Sequence, residues 1–267
     1  MTVEKIGVAV IQSLSSDEKQ TGKELFETTL KYISFSKNYL ENDFFDVSNS
    51  EDFFKVFTEL IKKAVTENKF YFLHFEIHGS EYGIELKNGD FITWKQLLEP
   101  LRELNILYKN QLSIYLAVCH GNTLLRSIEP LKRSPFAFII GSFFEIYNSD
   151  ILNGFEKFYS IFFENFKIEY ALQEMKKTCK KSDFTIITSN YVIDTLLEME
   201  SKSNEKEKLI KMLNETFDQD SKIEKKLAEE IKEKIIQEFE NHKIDKDYFL
   251  MNDLTNTYDN SGLGQLS

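Results

Sequence analysis

Proline and glycine are scarce in this chain. Three Pro and ten Gly among 267 residues leave little material for long irregular loops, so regular elements should dominate. A single Trp stands against 24 Phe and 12 Tyr, which makes the expected core one of phenylalanine and tyrosine. No long hydrophobic run opens the chain. The apolar stretch within MTVEKIGVAVIQSL is about six residues with polar flanks, too short for a signal-peptide core or a bilayer span. That predicts a cytoplasmic protein with no membrane contact. Cysteine is limited to Cys119 and Cys179, too few for a disulfide framework. In a chain without a secretion signal thiols stay reduced, which leaves one free to react. Basic charge is the minority: 33 Lys and Arg against 44 Asp and Glu give a net charge of −11, which repels phosphate backbones and argues against general nucleic-acid binding, leaving room only for a local basic groove.

What the chain does contain is an alternation of apolar runs of strand length with longer stretches of helical period, the pattern of a mainly parallel sheet covered by helices. Strands are expected at Ile6–Ile11, Phe44–Val47, Phe70–Ile77, Leu112–Val118, Phe136–Ile140 and Phe184–Thr188. Thr21-Gly-Lys-Glu24 has capping-box spacing for a helix carrying Leu25, Phe26, Leu30 and Ile33, and Ser48-Asn-Ser-Glu51 has it for a second. Tyr82–Leu86 and Phe91–Trp94 flank Asn88-Gly89, a two-residue hairpin signal, and Thr93 with Gln96 caps a helix reaching Leu107. Phe155, Phe158, Tyr159, Phe162, Phe163 and Phe166 fall on one helical stripe that should press on the sheet, and a further helix is expected over Tyr170–Lys177. The fold class is therefore α/β: a three-layer sandwich with a six-stranded, mostly parallel sheet and helices on both faces.

From about Glu198 the composition shifts to Glu and Lys. Ile223, Leu227, Ile231, Ile235 and Phe239 then form an amphipathic stripe. The expected organisation is a domain over residues 1–195 and a charged helical extension over 196–267, which docks on the core or on a partner. Its polar end, Asn252–Ser267, should fray.

The chemistry concentrates at two strand ends. The third strand ends in His78-Gly79 and the fourth in Cys119-His120-Gly121. Ligands of open parallel sheets collect outside the carboxyl ends of the strands, so adjacent third and fourth strands would present both residues to one cleft. Thiolate is the reactive form of cysteine, and an imidazole can help generate it or deliver a proton to a leaving amine. A glycine after the histidine would let a substrate carbonyl approach the backbone, with the amides of Gly79 and Cys119 as an oxyanion hole.

In these residues the chain resembles the caspase-like cysteine peptidases, the group of caspase, metacaspase, CHAT, clostripain and separase type, and in particular bacterial members. Their histidine precedes the cysteine by about 50 residues; here Cys119 follows His78 by 41. The likeness runs from Ile6 to about Asn190 and includes Gly83-Ile-Glu-Leu86 and Ile139-Ile-Gly-Ser142. It implies a caspase-like sandwich in which His78 is the general acid/base, Cys119 the nucleophile, and Gly79 and Cys119 the oxyanion hole. The function implied is a thiol endopeptidase without cofactor or metal, cleaving a protein or peptide and regulated as a processing protease, as in bacterial defence or cell-death systems. A regulatory protein could bind its C-terminal helices. The sequence departs from the family around the nucleophile. Leu116-Ala-Val-Cys-His-Gly-Asn122 lacks the Gln-Ala-Cys-x-Gly of animal caspases, and Ala117 stands where metacaspases carry an aspartate that binds a basic substrate residue. Substrate preference is therefore open.

Other readings compete. A catalytically silent relative could act as an interaction module through the helical tail. His74, Glu76 and His78 share strand parity, so a metal site from His74, His78, Cys119 and His120 has to be weighed, although no Cys-x-x-Cys pair supports zinc. His120 should orient the loop or face solvent, and Cys179 lacks any reactive setting. A cysteine phosphatase fails on spacing, because six residues separate Cys119 from Arg126 instead of five. No segment has the spacing of a phosphate-binding P-loop.

Overall fold

A computed structural model describes residues 5–200 and 245–255. Its core is one sheet in the order β2-β1-β3-β6-β7-β8. The strands are β1 (Lys5–Ser13), β2 (Asp43–Asp46), β3 (Lys69–Ser80), β6 (Ser113–Ala117), β7 (Phe138–Gly141) and β8 (Thr185–Thr188). Neighbours are parallel except β7 and β8, which run antiparallel. The central strands read as near-continuous apolar runs because both faces of the sheet are covered.

Strand parity sorts the side chains into two cores. Ala9, Ile11, Leu73, Phe75, Ile77, Ile114, Leu116 and Val118 pack under α3 (Ser50–Glu67) and α4 (Trp94–Leu107). Val8, Val10, Tyr115, Ala117 and Ile140 pack under α1 (Thr21–Leu25), α5 (Asn148–Asn165) and α6 (Ile168–Thr178). This is the expected three-layer α/β sandwich. On α5 the aromatic stripe is buried from Phe155 to Phe163, and Tyr115 meets Phe158 at 5.1 Å and Tyr159 at 5.5 Å between ring centroids. Each such ring contributes about 1.5–3 kcal/mol by leaving water.

Three local expectations need correction. Thr21 does not cap its helix. Gln20 occupies that position without a side-chain cap, and the Thr21 hydroxyl donates instead to the buried Glu76 at 2.7 Å. Asn49 rather than Ser48 caps α3, accepting from the Asp52 amide at 2.9 Å. The hairpin of β4 (Gly83–Glu85) and β5 (Phe91–Thr93) turns through three residues, not two. Gly89 N–H bonds the Leu86 carbonyl and Leu86 N–H the Asp90 carbonyl, with only Gly89 at positive φ, +89°. A type I turn followed by a left-handed glycine needs one residue more than the mirror-image turn. The Thr93–Gln96 capping box forms as expected.

The helix α1 continues through one π turn, Phe26–Leu30, into α2 (Lys31–Ser36). The helix α7 (Ser189–Glu200) crosses the expected domain boundary at residue 195, and α8 (Lys246–Leu250) and α9 (Asn252–Thr255) return to the core. Phe249, Leu250 and Met251 are buried, Ser134 N–H donates to the Phe249 carbonyl, and Arg133 forks onto both oxygens of Asp253. The amphipathic stripe Ile223–Phe239 lies outside the described residues.

Candidate active site

The β3–β6 ladder sets the geometry. Its last registered pairs are His74 with Tyr115, Phe75 with Leu116, and Glu76 with Ala117. Residues of one parity share a face, so His74, Glu76 and His78 look to the same layer as Tyr115, Ala117 and, two positions on, Cys119. His78 and Cys119 both line a cavity of about 130 Å³, together with Glu18, Thr21, Glu76 and Ala117. The two residues singled out from sequence are thus on one side of the sheet, at the carboxyl ends of adjacent parallel strands.

Gly79 is required there for a reason other than the expected one. A Cβ at this position would overlap the Val118 side chain and the Cys119 carbonyl oxygen. The missing side chain therefore makes room for the chain's own backbone, on the face opposite the cavity, and not for a substrate. Beyond β6 the chain turns sharply. His120 adopts a left-handed conformation at φ 57°, and Gly121 N–H bonds the Val118 carbonyl at 3.1 Å.

His78 is held by a residue the sequence reading missed. Its Nε2 lies 2.7 Å from Glu18 Oε1, in the loop between β1 and α1. The other oxygen of Glu18 accepts the Ser15 amide at 2.8 Å, and Gln20 ties the same loop to the Ser15 carbonyl. Burial pushes the Glu18 carboxyl up, but the Ser15 amide and the His78 hydrogen bond and charge outweigh it and hold the group below its ordinary range. With Nε2–H donating to this carboxylate, Nδ1 is left as the basic nitrogen.

Cys119 is half-buried, and its Sγ accepts the Ile146 amide at 3.4 Å from the loop between β7 and α5. His120 orients the same loop: its amide bonds the Phe144 carbonyl at 3.0 Å and its Nδ1 the Phe143 carbonyl at 2.9 Å. His74 is fully buried between the Tyr159 hydroxyl at 3.0 Å and Glu76 Oε1 at 3.1 Å. His74, His78, Cys119 and His120 are therefore each engaged separately, and among the described residues no three His, Cys, Asp or Glu side chains are gathered to hold a metal ion. Burial pushes the Cys179 thiol up to about 12, with Asp150 and Asp183 adding to the shift.

Glu18, Thr21 and Glu76 join the site although none was chosen from sequence. Glu76 had a readable signal, an acid inside an otherwise apolar parallel strand. Glu18 had none, because a loop of ordinary polar composition brings it to His78. No protein-family model matches the chain, and no curated protein matches it either.

Proposed function

We propose that the chain is a caspase-like cysteine endopeptidase. The observation that carries this reading is the delivery of Cys119 and His78 to one cavity by adjacent, like-directed strands, with Glu18 bound to Nε2 of the imidazole. A cysteine, a histidine and a carboxylate on that histidine, all lining one cavity, are the groups by which a nucleophile is paired with a positioned base.

In the proposed reaction the Cys119 thiolate attacks a peptide carbonyl carbon. The amides of Gly79 and Cys119 donate to the tetrahedral oxyanion. The C–N bond breaks as His78 gives its proton to the departing amine, leaving a thioester on Cys119. Water, losing a proton to His78, then attacks the thioester carbonyl; the C–S bond breaks, the carboxylic acid leaves, and the Cys119 thiolate and protonated His78 are restored. Glu18 keeps the ring in place throughout and faces the imidazolium when it forms. A processing protease in the cytoplasm, acting on a protein or peptide and open to a regulatory partner at its C-terminal helices, fits this chemistry. Among the described residues no helix is long and apolar enough to cross a membrane.

The test is a comparison of new protein N-termini in cells expressing the wild type and Cys119→Ala. Termini that vanish with the cysteine support the peptidase and report its cleavage sites. Identical profiles, with biological activity retained by Cys119→Ala, would favour the interaction module instead.

A further inference from the structure

One glutamine lies buried in the otherwise apolar strand β1. Gln12 is 1% exposed, and a buried amide is costly unless its polar atoms are partnered. Its Oε1 accepts the Lys23 amide at 3.0 Å, and its Nε2–H donates to Gln20 Oε1 at 2.7 Å. Gln20 Nε2–H in turn donates to two loop carbonyls, that of Ser15 at 2.7 Å and that of Glu18 at 3.1 Å. The direction of each bond is fixed from the ends of this chain. Lys23 presents an N–H at one end, and Ser15 and Glu18 present carbonyls at the other, so neither side-chain amide can turn over without losing a bond.

This clasp supplies what local sequence leaves out. Gln20 stands at the cap position of α1 without capping it, and Gln12 accepts the Lys23 amide in its place from the neighbouring strand. Gly22 permits the approach, since a Cβ there would lie 2.8 Å from Glu76 Cγ and 3.0 Å from Gln12 Oε1. In the loop, Glu18 N–H bonds the Ser15 carbonyl at 3.0 Å while Ser15 N–H returns to Glu18 Oε2 at 2.8 Å. That leaves Glu18 Oε1 for His78 Nε2. The two partners are open to water, with 34% of the Glu18 side chain and 57% of the His78 side chain exposed. An ion pair so exposed is weak and does not by itself hold two side chains in one geometry. The order has to come from the loop, and the loop is tied to the sheet at Gln12, the registered neighbour of Glu76, two residues before His78.

We propose that Gln20, held by Gln12, is a positioning residue for the reaction: it fixes the loop that carries Glu18 and so keeps that carboxylate on Nε2 of His78. This deepens the peptidase reading, and its catalytic part rests on that reading. Neither glutamine touches substrate. Both act through Glu18, so their loss matters only while Glu18 carries its charge to the imidazole.

Two variants separate positioning from helix stability. Gln20→Met keeps the length of the side chain and removes every hydrogen bond. Gln20→Asn places a preferred cap residue at the start of α1, which keeps or strengthens the helix, but is one carbon too short to reach both Gln12 and the loop carbonyls. Peptide cleavage should show kcat lowered about 10-fold in each, with KM nearly unchanged. In a Glu18→Gln background either change should cost less than about 2-fold more, because the group being positioned is already lost. A readout independent of activity is the Glu18 carboxyl itself, followed by NMR of its carboxyl carbon and assigned by its loss in Glu18→Gln. Burial raises this group, and the Ser15 amide and His78 outweigh burial to hold it low. Breaking the clasp should move its titration up toward the ordinary glutamate range. Unchanged kcat and an unmoved titration in variants that unfold cooperatively would overturn the assignment, as would wild-type activity in Gln20→Asn alone, which would reduce Gln20 to a helix cap. Losses that multiply with Glu18→Gln would also overturn it. Wild type that cleaves no peptide overturns the peptidase reading and the catalytic role together, while a titration still moved by Gln20→Met leaves the clasp standing.

Discussion

Glu18 Oε1 sits 2.7 Å from His78 Nε2, joining the loop after the first strand to the end of the third. The contact fixes which imidazole nitrogen remains for chemistry. Glu18→Gln keeps the shape but removes the charge, and should lower kcat about 100-fold, the lower end of what positioned proton transfer contributes. KM should change little, because Glu18 does not hold substrate, and Glu18→Asp should recover part of the loss. A rise in KM with unchanged kcat would instead mark Glu18 as a binding residue.

Gly79 separates the two strand ends. Gly79→Ala drives a methyl group into the Val118 side chain and the Cys119 carbonyl oxygen. Overpacking of this kind costs about 1–3 kcal/mol. The variant should lose that much in urea denaturation and lose cleavage as well, since the Cys119 turn must shift. Retained activity at wild-type stability would show that the turn yields freely.

The two thiols should differ sharply in reactivity. With its thiol at about 12, Cys179 is a thiolate in roughly one molecule in 10⁴ at pH 8, and its sulfur is half-buried against the Asp150 carbonyl at 3.5 Å. Limited iodoacetamide treatment followed by peptide mass analysis should find the label on Cys119 and almost none on Cys179. Equal labelling would contradict the environments described.

Asp43 on the edge strand β2 links three basic or phenolic groups. It accepts from Tyr71 and lies 2.9 Å from Lys63 and 3.2 Å from Lys69. Burial pushes its carboxyl up, but the Tyr71 hydrogen bond and the two ammonium groups outweigh that and hold it below its usual range. A carboxyl depressed by folding contributes stability that is complete above its unfolded value, about 3.9, and is lost as pH falls through the folded value. Asp43→Asn should therefore cost about 2 kcal/mol at pH 7, less than for a fully buried pair because 27% of the side chain is exposed. The difference from wild type should shrink as the pH is lowered below 4. A constant difference across that range would assign the loss to shape alone.

The six main strands and the helices over them were legible because parallel sheets bury both faces, and the periods in Phe70–Ile77 and Phe155–Phe166 follow directly from that burial. So was the placement of His78 and Cys119 on one cavity, since strand order and parity are enough to put two residues on one face. What was hidden came from loops and from competition for partners. Thr21 has capping-box spacing, but the helix starts one residue earlier, with Gln20 at the cap position, and the Thr21 hydroxyl donates across the structure to the buried Glu76, a tertiary contact no local signal carries. Glu18 reaches His78 across 60 residues of sequence with no periodicity to announce it. A glycine after the histidine suggests substrate clearance, and only the neighbouring strand end, invisible from the sequence, shows that Val118 and the Cys119 backbone fill the space.

The proposed joint action of Cys119 and His78 on a peptide carbonyl predicts a pattern in the peptide cleavage rates of wild type, Cys119→Ala, His78→Ala and the double variant, each first shown to unfold cooperatively. Residues that act together lose activity without additivity, so both single variants and the double should fall to the same floor. Cleavage by Cys119→Ala at the wild-type rate, or losses that simply multiply in the double variant, would contradict the account.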